Sequence, residues 1–211
     1  MDHVAWDHNA WYHRLLLRRV PAGADRVLDV GCGAGTLARE LAYRAGQVDA
    51  LDRDPMMVTL ARGRAAANMT VIEADVLTAD LPAGSYDAVV SMSALHHLPL
   101  APALERLAGL LRPGGVLAVV ALPRIDLPVE APVELAALTG HRVLGTAFAA
   151  GRAVTGRPLF GYTSDVTTMP MRDPELTTRQ VRATAAGVLS GVRVRRLLFW
   201  RYELTWTKPR S

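Results

Sequence analysis

The stretch "VLDVGCGAG", residues 27–35, sets three glycines, Gly31, Gly33 and Gly35, at alternate positions directly after a short apolar run. "RVLDV" (26–30) has the length and apolar content of a buried strand, and "TLARELAYRAG" (36–46) reads as a helix stopped at Gly46. A strand, a glycine loop and then a helix is the layout in which backbone approaches a nucleotide at the carboxyl end of a sheet. The dinucleotide fingerprint G-x-G-x-x-G/A fails here, because its third position is Thr36. A phosphate-binding loop would need Gly-Lys-Ser/Thr, yet the first lysine in the chain is Lys208. The expected ligand therefore carries no phosphate for the loop to cradle.

Outward from the loop, strand and helix alternate. "QVDALD" (47–52), "TVIEAD" (70–75), "YDAVVS" (86–91) and "GVLAVVA" (115–121) are strand candidates, with "PMMVTLARGRAAA" (55–67) and "APALERLAGLL" (101–111) as helices between them. That alternation predicts an α/β fold, a parallel sheet with helices on both faces. Residues 4–19 read as a helix with Val4, His8, Trp11 and Leu15 along one stripe. Past Leu122 the pattern loses its period: residues 122–173 are apolar and rich in proline and glycine, an insertion holding a helix or two. A helix is expected over 173–189 with Pro174 near its start, and "VRVRRLLFWRYELTWTKP" (192–209) reads as an antiparallel pair of strands at the sheet edge.

Composition excludes several classes. The 211 residues suit a single domain over 1–211, and no apolar run reaches the roughly 18 residues of a membrane span. Cys32 is the only cysteine, so neither an internal disulfide nor a thiolate zinc cluster is available, and a cytoplasmic enzyme without a metal is expected. The isoelectric point near 9.7 comes from arginine. Of 24 basic residues one is lysine, leaving 24 − 1 = 23 arginines, but they are scattered and the net charge is only +4.

Taken together, these stretches resemble the class I S-adenosylmethionine-dependent methyltransferases. Residues 27–35, with Asp29 ahead of G-x-G-x-G, look like that family's first motif. Asp52, 21 residues after Gly31, ends the second strand where the family's ribose-binding acid stands; "EADV" (73–76), "SYDAVVSMSALHHL" (85–98) and "LRPGGVLAVV" (111–120) match in order. The resemblance is closest to the small-molecule subgroup that includes the ubiquinone/menaquinone methyltransferases. It implies a Rossmann-like seven-stranded sheet in the order 3-2-1-4-5-7-6 with the last strand antiparallel, and S-adenosylmethionine as cofactor with S-adenosylhomocysteine as product. It assigns the cofactor to Gly31, Gly33, Gly35, Asp52, Arg53, Met57, Asp75, Val76 and Met92. Asp54 competes with Asp52 but reads as a helix cap before Pro55, and Asp29 reads as a brace for the loop.

The resemblance also places His96 and His97 beside the methyl group, which makes His96 the first candidate for a general base; Tyr12 and His8 follow it. It makes residues 1–24, with His3, His8, His13, Trp6, Trp11 and Tyr12, a lid helix, and residues 122–173, with Phe148, Phe160 and Tyr162, an acceptor-binding cap. A small-molecule acceptor, no specific nucleic acid, and a monomer or homodimer are expected. Two other functions stay open. An RNA or other nucleic-acid methyltransferase would use the arginines, although Ser91-Met92-Ser93-Ala94 replaces the Asn/Asp-Pro-Pro-Tyr of base-amino methylation. A non-catalytic cofactor-binding module would be expected to have lost the first motif or the ribose acid, and both are intact.

Overall fold

The computed structural model describes residues 5–127, 129–160 and 173–210. Seven strands form one sheet: β1 (Arg26–Val30), β2 (Gln47–Asp52), β3 (Met69–Glu73), β4 (Tyr86–Met92), β5 (Leu111–Ala121), β6 (Arg193–Leu197) and β7 (Arg201–Thr207). Their order is β3-β2-β1-β4-β5-β7-β6. Pairs from β3 through β5 are parallel, and β7 runs antiparallel to both β5 and β6. The expected order and direction are those observed.

The central strands are buried almost without a break because helices cover both faces. Alternation sorts their side chains. Leu28, Val30, Val89, Leu117 and Val119 face a core completed by α4 (Leu100–Leu110) and α6 (Thr178–Val188). Val27, Val48, Ala50, Val90, Ala118 and Val120 face the opposite core, with α1 (His8–Leu17), α2 (Thr36–Ala42) and Ala61 of α3 (Pro55–Arg62). At the amino ends of the strands, Asp49 accepts from Arg26 and from the Tyr86 hydroxyl at 2.7 Å, while Asp87 accepts from the Asp25 and Arg26 amides at 2.8 and 2.9 Å. These carboxylates hold the end of the sheet remote from the glycine loop.

Two helices start later than the sequence reading expects. α1 starts at His8, since the Asp7 side chain caps it by accepting from the Asn9 and Ala10 amides. Its buried stripe is His8, Tyr12 and Leu16, one step round from the expected one; Trp11 and Leu15 are half-buried, and Val4 lies outside the described residues. α6 starts at Thr178 behind a Thr177–Gln180 capping box, which leaves Pro174 in an extended segment. That segment is tied to the chain after β5 by the Arg124 amide donating to Leu176 O at 2.8 Å and by an Arg124–Thr177 bridge. Among its described residues the insertion, expected to hold a helix or two, holds the 25-residue helix α5 (Ala131–Thr155), and no helix among the described residues is long and apolar enough to cross a membrane.

Candidate active site

The glycine loop turns on left-handed backbone. Gly31, Gly33 and Gly35 have φ of 70°, 52° and 80°, a region costly for residues with a Cβ. At Gly31 space matters too: a Cβ there would sit 2.2 Å from Ala94 Cβ, so the loops after β1 and β4 close on each other only through glycine. Gly31 and Cys32 donate their amides to Leu51 O at 2.8 and 3.0 Å. The Gly33 amide donates to Asp52 Oδ2 at 2.8 Å, and the Asp54 amide to Asp52 Oδ1 at 2.9 Å. Each Asp52 oxygen thus has one partner and a lone pair to spare. Asp54 caps α3 by accepting from the Met56 and Met57 amides, as its place before Pro55 suggested.

Around this loop the remaining expected residues fall at the carboxyl ends of β2, β3 and β4. Arg53 is exposed and Met57 buried at the start of α3. Asp75 sits in a turn just past β3, its Oδ1 accepting from the Leu77 amide at 2.9 Å, and Val76 is buried beside it. Met92 closes β4 against the α1 side of the core. Asp29 is fully buried under the loop; among the described residues no donor meets normal hydrogen-bond geometry at its carboxylate oxygens, although the Ala38 amide is close enough to favour the charged form. Burial raises its pKa to about 7; the neighbouring His13 opposes that rise and Asp52 adds to it. Burial likewise pushes the Cys32 thiol far up, leaving it a small inert residue.

On the open side, His96 lies in a 3₁₀ turn (Leu95–His97) with its ring 4.1 Å from that of His97. It borders a cavity of about 110 Å³ shared with Leu122, Pro174, Glu175 and Tyr202. A second cavity of about 400 Å³ shares Leu122 and Pro174 and adds Arg124, Ile125, Asp173 and Trp200. Tyr12 is buried and its hydroxyl donates to Leu198 O at 2.7 Å; burial raises its pKa to about 12 against the pull of nearby arginines. His8 stacks on Phe199 and bonds His141 of α5 at 3.0 Å through Nε2. Burial first, then Arg201 and His141, lower the His8 pKa to about 4, so it is neutral at pH 7. His13 bonds Glu40 at 2.8 Å. His3 and Tyr162 lie outside the described residues.

Sequence reasoning missed what ties α1 to the loop after β4 and to β7. Asn9 Oδ1 accepts from the Ser93 hydroxyl at 2.8 Å and from Arg201 Nη2 at 3.0 Å, joining α1, the loop after β4 and β7. Ser93 itself has φ 55°, a left-handed strain at the sheet's carboxyl edge. The β6–β7 turn is as unusual: Phe199 and Trp200 have φ of 53° and 57°, where such turns favour Asn-Gly. Their rings meet Trp6 and His8, and Phe148 and Phe160 extend the cluster around Trp6.

A methyltransferase-domain profile matches residues 27–115. An uncharacterized methyltransferase of Mycobacterium tuberculosis is 37% identical over 206 residues, covering 97% of this chain and 98% of that protein. The chain belongs to the S-adenosylmethionine-dependent methyltransferases. A ubiquinone biosynthesis O-methyltransferase of Xanthomonas axonopodis is 43% identical over 112 residues, 51% of this methyltransferase and 46% of that enzyme. An S-adenosylmethionine-dependent methyltransferase of Aquifex aeolicus shares the fold, with TM-score 0.60 at 16% identity over 92% of this chain and 88% of its own.

Proposed function

We propose that this methyltransferase acts on a small-molecule acceptor seated at the carboxyl ends of β4 and β5, and that it works in the cytoplasm. The observation supporting a small acceptor is the pair of adjoining cavities, about 110 and 400 Å³, beside His96. The second, at about 400 Å³, falls within the size range of small-molecule sites. The residues of the loop fit the cofactor. The glycines bring bare backbone close, Asp52 has lone pairs free for two ribose hydroxyls, and the orphaned Asp29 oxygens suit an ammonium group. When bound, S-adenosylmethionine supplies a methyl group already activated by its sulfonium.

The chain's own residues then have few tasks. Asp75 and the Val76 amide hold the adenine edge, Arg53 and Met57 flank it, and Gly31, Gly33, Gly35 and Met92 border the methionyl end. Holding the acceptor about 3–3.5 Å from the methyl carbon and on axis is the main catalytic work, with water excluded by α1. Where the acceptor is a hydroxyl, His96 takes its proton. The Tyr12 proton is committed to Leu198 O and its pKa lies near 12, so Tyr12 serves best by holding the lid down. The arginines count against the nucleic-acid reading: Arg19, Arg26, Arg112, Arg195 and Arg196 are spent on acids of the chain itself. Calorimetry tests the proposal at its base. S-adenosylmethionine and S-adenosylhomocysteine should bind saturably and NAD and ATP should not, and tritiated methyl should appear in small hydroxylated acceptors rather than in RNA; methyl transfer to RNA alone would overturn the small-molecule reading.

A further inference from the structure

The larger cavity has a feature the transfer itself does not need. Its wall after β5 is apolar, Leu122, Pro123 and Ile125, and is faced by Pro174 and the ring of Trp200. Arg124, an exposed residue, lines this cavity too, and its side chain makes no ion pair or hydrogen bond among the described residues; the nearest acid in sequence, Asp126, is taken by Arg179 at 3.3 Å. Other arginines of the chain are neutralised, Arg196 by Glu130 and Glu134 and Arg195 by Glu203. Arg124 is held in place by its backbone: its amide bonds Leu176 O and it bridges Thr177. A guanidinium lining the same cavity as a tryptophan and two prolines matches a flat apolar body with an oxyanion at one end. The same cavity also carries Asp173, likewise without an ion pair among the described residues. That negative charge disfavours a dianion such as a phosphate ester and leaves room for a singly charged carboxylate.

We infer that the acceptor is a ring-bearing small molecule with a carboxylate, recognised by Arg124 with Trp200 as the stacking wall. This rests on the small-molecule reading above and names the acceptor's class. Arg124 is a specificity residue; it binds the acceptor and takes no part in the transfer.

The test uses the whole chain saturated with S-adenosylhomocysteine, and three probes of one ring: 2-naphthoate, its neutral isostere 2-naphthamide, and 2-naphthyl phosphate. By calorimetry, naphthoate should bind about tenfold tighter than the amide, the scale of one charge-assisted contact, and tighter than the phosphate. Arg124→Gln should remove the preference over the amide. Asp173→Asn should widen it, and Trp200→Ala should weaken acid and amide alike. S-adenosylhomocysteine binding, measured first, separates the two failures: no binding would sink the methyltransferase site itself, whereas normal binding with an Arg124→Gln variant that keeps the acid preference would overturn only this inference. Equal affinity of the wild type for acid and amide, or tightest binding of the phosphate, would overturn it as well.

Discussion

At the scale of single residues, Asp52 has two duties that a substitution separates from those of its neighbour. Its carboxylate fixes the glycine loop through the Gly33 amide and, in the proposed complex, accepts both ribose hydroxyls. Asp52→Ala should therefore weaken cofactor binding by roughly 2–4 kcal/mol, the scale of two hydrogen bonds to a charged group. Asp54→Ala, which removes only the α3 cap, should cost about 1 kcal/mol of stability and little affinity. Calorimetry beside thermal melts distinguishes them, and equal affinity losses would put the ribose acid in the wrong place. Asp29 gives a pH signature. Its pKa rises from 3.8 to about 7 in the fold, so the native state holds a proton the unfolded chain has lost between those values. In that window stability falls as pH rises. Asp29→Asn should erase this fall, so that the variant's melting temperature gains on the wild type from pH 4 to 7 and the gap then stays level. If S-adenosylhomocysteine places its ammonium there, it should stabilise the wild type more at pH 8 than at pH 5.5, and Asp29→Asn less differently at the two; a difference unchanged by the substitution would remove Asp29 from the amine site. The place of Asp52 beside the loop was legible because it occupies a fixed step at the end of a strand, whereas Asp29, expected to brace the loop, makes no such bond from its carboxylate among the described residues. Ser93 was not legible, because its meaning is a bond to a residue 84 positions away.

At the scale of elements, the strands were legible to within a few residues, since burial on both faces makes each a short continuous apolar run. Helix starts were less so. α1 and α6 both begin later than their apolar pattern suggests, at the residue after an Asp7 or Thr177 cap, because capping overrode periodicity at each. The buried stripe of α1 also runs through Tyr12 rather than Trp11, and the late start of α6 leaves Pro174 in a cavity wall. The Phe199–Trp200 turn gave no local signal at all: two bulky residues at positive φ are strained by order 1–2 kcal/mol each, and only the aromatic cluster from three other segments sustains them. α1 thus depends on tertiary ties, Asn9 among them. Asn9→Ala strands the Ser93 hydroxyl and loosens Arg201, a loss of about 1–3 kcal/mol borne locally. The domain should stay folded and methyl transfer should fall several-fold. Hydrogen exchange across residues 8–17 reads the lid directly: S-adenosylhomocysteine should add protection in the wild type and less in Asn9→Ala. Full protection before ligand is added would make α1 part of the core rather than a lid.

At the scale of the whole molecule, charge and its placement decide which large partners are plausible. An isoelectric point near 9.7 suggests nucleic acid when read from composition alone, and composition carries no more than that. The fold supplies the missing information. Arg26 and Arg112 close the amino end of the sheet on Asp49 and Asp87; Arg19 and Arg195 share Glu203; Arg196 takes Glu130 and Glu134. These five cations have acids of the chain beside them, so their charge is largely spent within the fold. A strand of nucleic acid needs the opposite, several unneutralised cations spaced along one path, and each phosphate so contacted contributes about one to the slope of log affinity against log salt. The methyltransferase should therefore show a shallow slope, on the order of one or two, on duplex DNA and on structured RNA, with no preference between sequences. Measured by retention or anisotropy from 50 to 200 mM salt, a slope of six or more with affinity well above nonspecific levels would return the nucleic-acid reading to the front. Under the small-molecule reading the same salt series should leave S-adenosylhomocysteine affinity nearly constant, because its recognition rests on hydrogen bonds and on the enclosed Asp29 rather than on exposed charge.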